Sequence, residues 1–125
     1  MSAQSVVTLN THAYNPRGVD GGVAKWVNPT NSSGSSVDSL TESVRGPNTN
    51  GNTRVQFKLS IPKIATADTA CSCVGANLGT AVANIDVLIP GSFTAAEREN
   101  LQLSIKALVG DAIFVSAVKN LEGSW

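Results

Sequence analysis

Three stretches of this chain put mostly polar or charged side chains at every second position. In Arg54-Val55-Gln56-Phe57-Lys58-Leu59-Ser60-Ile61, the residues Arg54, Gln56, Lys58 and Ser60 alternate with Val55, Phe57, Leu59 and Ile61. Between Ser39 and Arg45, the residues Ser39, Thr41, Ser43 and Arg45 stand opposite Leu40 and Val44. From Ala81 to Ile89, the residues Val82, Asn84 and Asp86 stand opposite Ala83, Ile85, Val87 and Ile89. Successive side chains of a strand point to opposite faces, so each stretch has one apolar and one largely polar face. On a shared surface, Arg and Lys neutralise phosphates, while Thr, Ser, Gln and Asn hydrogen-bond sugars and bases. A plainer account competes with that chemistry. One face of an antiparallel sheet is normally solvated and polar whether or not it binds anything. Spacing alone leaves both readings open.

Other chemistry is poorly supplied. His12 is the only histidine, so a triad or a His-based metal site would have to form almost without that residue. Cys71 and Cys73, as Cys-x-Cys, are two ligands short of a structural zinc site and too few for a disulfide scaffold. The run Ser32-Ser33-Gly34-Ser35-Ser36 lacks the Lys and the spacing of a phosphate-binding loop and reads as a surface loop. Asp38, Glu42 and Asp86 show no spacing that marks an acid–base pair. We therefore expect no catalytic residues, no cofactor and no metal. His12 and Tyr14 read as structural and Trp26 as packing, while Trp125 is either a tail anchor or a frayed end.

Composition narrows the class further. The 125 residues suit one domain spanning residues 1–125. Nine Lys and Arg balance nine Asp and Glu. That balance argues against a protein that coats DNA or binds membrane surfaces through a basic excess. Charged residues make up 14% of the chain, against roughly 25% in an average soluble protein, which suggests that much of the surface is covered by something. No apolar run approaches the roughly 18 residues of a membrane-spanning helix. Met1 to Asn10 has neither the basic start nor the apolar run of a signal peptide.

The elements that would position the polar face follow from the same periodicity. Weaker strand signals cover Val6 to Leu9 and Val23 to Val27. Turn clusters are expected at Asn15-Pro16-Arg17-Gly18, Asp20-Gly21-Gly22, Asn28-Pro29-Thr30-Asn31 and Gly46 to Asn52. Pro62 should stop its strand or place it at an edge. Residues 66–80 read as a small-residue loop, and residues 94–121 change to helical period. Thr94 with Glu97 fits a capping box ahead of Leu101, Ile105, Leu108 and Ala112, and Asp111 can cap a second helix. The class is α+β: an N-terminal β-hairpin, an antiparallel β-sheet and two C-terminal α-helices. Two helices are too few both to pack on each other and to cover one face of such a sheet. A second copy contributing its own helices is the simpler solution; a monomer with its helices folded back is the other.

Several pieces of the sequence, in order, carry a family resemblance. They are Asn15-Pro16-Arg17-Gly18-Val19, Gly22-Val23-Ala24-Lys25-Trp26, Ser43-Val44-Arg45, and Lys58-Leu59-Ser60-Ile61-Pro62-Lys63-Ile64-Ala65-Thr66. Asn84 to Pro90 and Thr94-Ala95-Ala96-Glu97-Arg98 follow. In order, spacing and total length the chain resembles the coat proteins of single-stranded RNA bacteriophages, the levivirus group. The resemblance implies sheets joined edge to edge in an interlocked dimer. It also implies a small icosahedral shell of T=3 type, and a virion component made in the bacterial host cytoplasm. The polar sheet face would look inward, packaging single-stranded genomic RNA and binding a hairpin at the replicase start to repress translation. The partners would be further copies of the chain and RNA, with no membrane.

By position, Thr41, Ser43, Arg45, Lys58 and Asn84 match the family's RNA-contact residues in type, and Arg54 and Gln56 share their face. Val82 departs from the pattern, because relatives often carry a tyrosine there to stack a base. Cys71 and Cys73 are either free thiols or, as in some relatives with two cysteines in this loop, inter-subunit disulfides. A bridge between them within one chain would be strained. A small β-rich binding or adhesive domain without an RNA role is the alternative function.

Overall fold

The computed structural model describes residues 4–33, 36–49, 51–64 and 77–123, with Ser33 and Ser36 described by their backbone alone. Cys71, Cys73 and Trp125 lie outside the described residues. The chain forms two compact units, Met1–Leu88 and Ile89–Trp125.

The first unit is a six-stranded sheet whose spatial order follows the sequence: β1 (Val7–Leu9), β2 (His12–Asp20), β3 (Val23–Ser33), β4 (Ser36–Arg45), β5 (Thr53–Ile64) and β6 (Asn77–Ile89). The first four ladders are antiparallel through the β4–β5 pair, as short turns require. Two-residue connections set the early registers. Asn10 and Thr11, at φ 50° and 67°, join Leu9 to its partner His12, and Gly21 and Gly22, at φ 60° and 80°, join Asp20 to Val23. Positive φ at both central positions is what a hairpin turn matched to strand twist requires. The β4–β5 connection begins at Gly46, with φ 132°. A Cβ there would lie 2.7 Å from the Asn52 carbonyl oxygen, so only glycine fits.

Period-two alternation produces the core. Trp26 pairs with Leu40, and Leu40 with Leu59, so one row of large apolar side chains crosses three strands. Tyr14, Trp26 and Leu40 are buried, with Val7, Leu9, Ala24, Phe57 and Leu59 packed against them. At the edge of this layer lies a buried polar cluster around Asp38. Its Oδ1 accepts from the Tyr14 hydroxyl at 2.7 Å, and its Oδ2 accepts from the side-chain amides of Asn28 and Asn31 at 3.3 and 3.1 Å.

Three local expectations are corrected. Asn15-Pro16-Arg17-Gly18 is no turn; it lies within β2, whose register against β3 shifts between Pro16 and Val19. Asn28-Pro29-Thr30-Asn31 lies within β3, in an irregular stretch between the Asn28–Asp38 and Ser33–Ser36 pairs. There, side-chain bonds stand in for the ladder: the Asn28 carbonyl accepts from Ser32 Oγ at 2.7 Å, and Ser32 Oγ accepts from the Asp38 N–H at 3.1 Å. Pro62 does not end β5, which runs on to Ile64. The ladder with β4 closes at Ser39 and Ser60, so the missing N–H of Pro62 falls beyond it, while the Pro62 carbonyl accepts from Asn31 at 3.2 Å.

The second unit holds α1 (Ala95–Gly110) and α2 (Ala112–Asn120). Both halves of the capping box form. Thr94 Oγ1 accepts from the Glu97 N–H, and Glu97 Oε1 accepts from the Thr94 N–H, each at 3.3 Å. Asp111 ends α1 and begins α2, its Oδ1 accepting from the Ile113 N–H at 3.1 Å, and the axis bends by 48° there. No residue of either helix is buried within the single chain. No single helix among the described residues is long and apolar enough to cross a membrane.

Candidate nucleic-acid interface

The ladders assemble the polar face pair by pair. Thr41 is the direct partner of Lys58, Ser43 of Gln56, and Arg45 of Arg54. Direct partners on neighbouring strands project from the same side of the sheet, about 5 Å apart at Cβ. Three cations and three neutral hydrogen-bonding groups therefore share one surface of two strands. With Asn84 from β6, the residues Thr41, Ser43, Arg45, Gln56 and Lys58 line a shallow depression of about 320 Å³. Arg45 and Arg54 border a second one of about 490 Å³, which runs over the Gly46–Asn52 connection past Asn48 and Asn52.

The members differ in readiness. Arg45 Nε donates to Ser43 Oγ at 3.1 Å, which fixes the guanidinium over the sheet, and among the described residues its other donors remain available to an anion. Arg54 Nε lies 3.3 Å from Asp86 Oδ1, with both side chains about half exposed. That carboxylate offsets one of the three cations. Val82 is half exposed on β6 and lines neither depression. The face therefore brings together Thr41, Ser43, Arg45, Gln56, Lys58 and Asn84, holds Arg54 beside its own counter-ion, and leaves Val82 outside the depressions.

Two further features of this surface come from strand pairing. Lys25 is the direct partner of Thr41, which adds a cation from β3 to the same face. Its signal was present in the alternation Ala24-Lys25-Trp26, with Trp26 packed into the core. The ion pair from Asp86 carried no such signal, because it depends on how β6 sits beside β5.

The other face is largely apolar. Trp26, Leu40, Phe57, Leu59 and Ile85, together with Glu42, line an open cavity of about 390 Å³.

The profile of the levivirus coat protein family matches residues 3–125. The chain belongs to that family. Levivirus coat proteins are structural capsid proteins, not enzymes, which accords with the lack of catalytic chemistry in the sequence. No curated protein matches the chain significantly. Solved structures share its fold. The virus-like particle of Beihai levi-like virus 21 is 23% identical with a TM-score of 0.79, covering 96% of this chain and 94% of that one. The bacteriophage GA protein capsid is 24% identical with a TM-score of 0.72, covering 90% and 86%. An unassembled bacteriophage coat protein dimer, described as RNA-binding, is 25% identical with a TM-score of 0.62, covering 96% and 94%. An antiparallel sheet followed by two helices is thus the fold of this coat-family chain and of phage capsid proteins alike.

Proposed function

We propose that this chain is the capsid subunit of a small RNA phage. Two copies interlock as a dimer, and dimers close into an icosahedral T=3 shell. The polar face of the sheet holds single-stranded genomic RNA inside the virion. On this reading residues 1–125 are one coat-protein domain, and its two compact units are completed as a fold by a second copy.

One observation carries the proposal: the sheet has a cationic, hydrogen-bonding face and an apolar face, while no residue of the helices is buried within the single chain. Leu103, Leu108, Ile113, Phe114, Val115 and Val118 are all exposed on the helices. Large apolar side chains exposed in that number on two short helices point to an interface. β6 is the last strand of the sheet and exposes Leu78, Val82, Ile85 and Leu88, so its edge is a template for pairing with another chain. The solved relatives include capsids and an RNA-binding dimer, which supports the same arrangement here.

On the inner face, Arg45, Lys58 and Arg54 neutralise phosphates, and Thr41, Ser43, Gln56 and Asn84 contact sugars and bases. Binding of a hairpin at the replicase start would make the subunit a translational repressor. Val82 has no ring on which to stack a base, a contact worth about 1–3 kcal/mol. Selectivity among hairpins should therefore be weaker than in relatives with an aromatic residue at that position. Val82→Tyr is expected to raise it. Cys71 and Cys73 form inter-subunit disulfides once the particle leaves the reducing cytoplasm. Non-reducing gels of oxidised particles should show ladders of linked subunits that collapse on reduction; monomer bands alone would refute the linkage.

The RNA claim is tested by filter binding on dimers across salt concentrations. Lys58→Ala should weaken binding to every RNA and flatten the log–log salt slope by about 0.7. Asn84→Ala should instead relax discrimination between hairpins. If Lys58→Ala and Arg45→Ala both leave affinity and slope unchanged, the face is merely solvated.

A further inference from the structure

β2 carries one residue too many for its ladder with β3. Pro16 pairs with Trp26 and Val19 with Ala24, so Arg17 and Gly18 together oppose Lys25. Such a bulge takes backbone groups out of the ladder. Here the side-chain amide of Gln4 takes up two of them. Gln4 Oε1 accepts from the Gly18 N–H at 3.0 Å, and Gln4 Nε2 donates to the Lys25 carbonyl at 2.7 Å. The next residue is fixed as well, because the Ser5 carbonyl accepts from Trp26 Nε1 at 2.7 Å. The N-terminal segment is thus bonded to both sides of the bulge.

The bulge keeps the alternation of faces intact. Gly18, at φ +94°, is the extra residue and has no side chain to place. Pro16 and Val19 pair with Trp26 and Ala24 and share their apolar side, so Arg17 falls on the side of Lys25. Lys25 directly opposes Thr41, and Thr41 directly opposes Lys58. Arg17, Lys25 and Lys58 therefore form a line of cations across β2, β3 and β5, with Thr41 between the last two. At about 4.8 Å between strands, the line spans on the order of 14 Å. Arg17 and Lys25 are exposed, and among the described residues neither takes part in an ion pair. The nearest acid on this face by register is Asp20, which pairs with Val23 and so lies two residues along β3 from Lys25.

We propose that Arg17 and Lys25 form a phosphate-binding extension of the polar face, held in place by Gln4, that leads a single-stranded RNA backbone across the strands towards β2. The proposal rests on the RNA reading above and adds to it a direction and two contacts. Phosphodiester backbone is the ligand because the line itself consists of three cations and one hydroxyl, Thr41, whereas the amides Gln56 and Asn84 stand beside its far end. Gln4 is a positioning residue; it carries no charge and acts through the bulge.

The test is fluorescence anisotropy of the full-length dimer with a labelled single-stranded RNA that forms no hairpin, across salt concentrations. Arg17→Gln and Lys25→Gln should each lower the log–log slope by about 0.7. Gln4→Ala should lower affinity in the native background and add little in the Arg17→Gln, Lys25→Gln double variant, as expected for coupled residues. If Lys58→Ala flattens the slope while Arg17→Gln and Lys25→Gln leave it unchanged, the extension fails and the RNA face stands. If none of the three changes the slope, both fail. If Gln4→Ala weakens binding equally in both backgrounds, the positioning role is overturned.

Discussion

Tyr14 is the only tyrosine of the chain, and its hydroxyl is committed to a buried carboxylate. Burial, then the hydrogen bond and the charge of Asp38, push its phenol well above the ordinary value of 10.0. The unfolded chain ionises this group near that ordinary value, whereas the folded chain keeps it protonated. Its contribution to stability is therefore complete below about pH 10 and is lost as pH rises towards the raised value. Tyr14→Phe should cost about 1.5–3 kcal/mol at neutral pH, because Asp38 loses a donor to its charged oxygen. The same variant should lose part of the alkaline fall in stability. Denaturant melts of both proteins at neutral and alkaline pH check this, and tyrosinate absorbance reports Tyr14 alone. Asp86 makes a separate residue-scale case. Its pair with Arg54 is half exposed, so its loss should change stability by no more than about 1 kcal/mol. Asp86→Asn frees Arg54 for phosphate and should steepen the salt slope of RNA binding by about 0.7. An unchanged slope would mean that Asp86 does not hold Arg54 back from phosphate.

The elements were legible wherever local chemistry decides them. Thr94 and Glu97 close the capping box that their spacing suggests, and Asp111 caps α2. Thr94→Ala should cost roughly 1 kcal/mol in thermal or denaturant unfolding, and Thr94→Ser should cost little. The alternation in β5 gave both of its faces, and with them Lys58, Gln56 and Arg54. Legibility ended where distant partners override local signals. Pro16 and Gly18 carry turn chemistry, yet Gln4, far away in sequence, satisfies the bulge and keeps β2 continuous. Asn28 to Asn31 also look like a turn, but Asp38 and Ser32 hold them within β3. Pro62 breaks strands in general, but here it lies past the last pair with β4. Lys25 is hidden in the sequence for the same kind of reason. Its own strand signal was weak, and only its pairing with Thr41 ties it to the polar face.

At the scale of the whole molecule, the low share of charged residues and the uncovered apolar surface fit together. A single chain leaves Leu108, Ile113 and Val118 in water on its helices, Leu121 just past the end of α2, and Leu78 and Ile85 on its last strand. Exposed side chains of this size stabilise association by about 25 cal/mol for each Å² they bury. An interface that covers them belongs with the obligate class, on the order of 2,000 Å² or more. The purified protein should consequently never populate a stable monomer at working concentrations. The most direct measurement is size-resolved light scattering with nucleic-acid and protein absorbance, followed by electron microscopy of the same fractions. The capsid account predicts closed particles of uniform diameter that carry RNA and yield dimers, not monomers, on mild dissociation. A stable monomer at micromolar concentration with no particles and no bound RNA would contradict it.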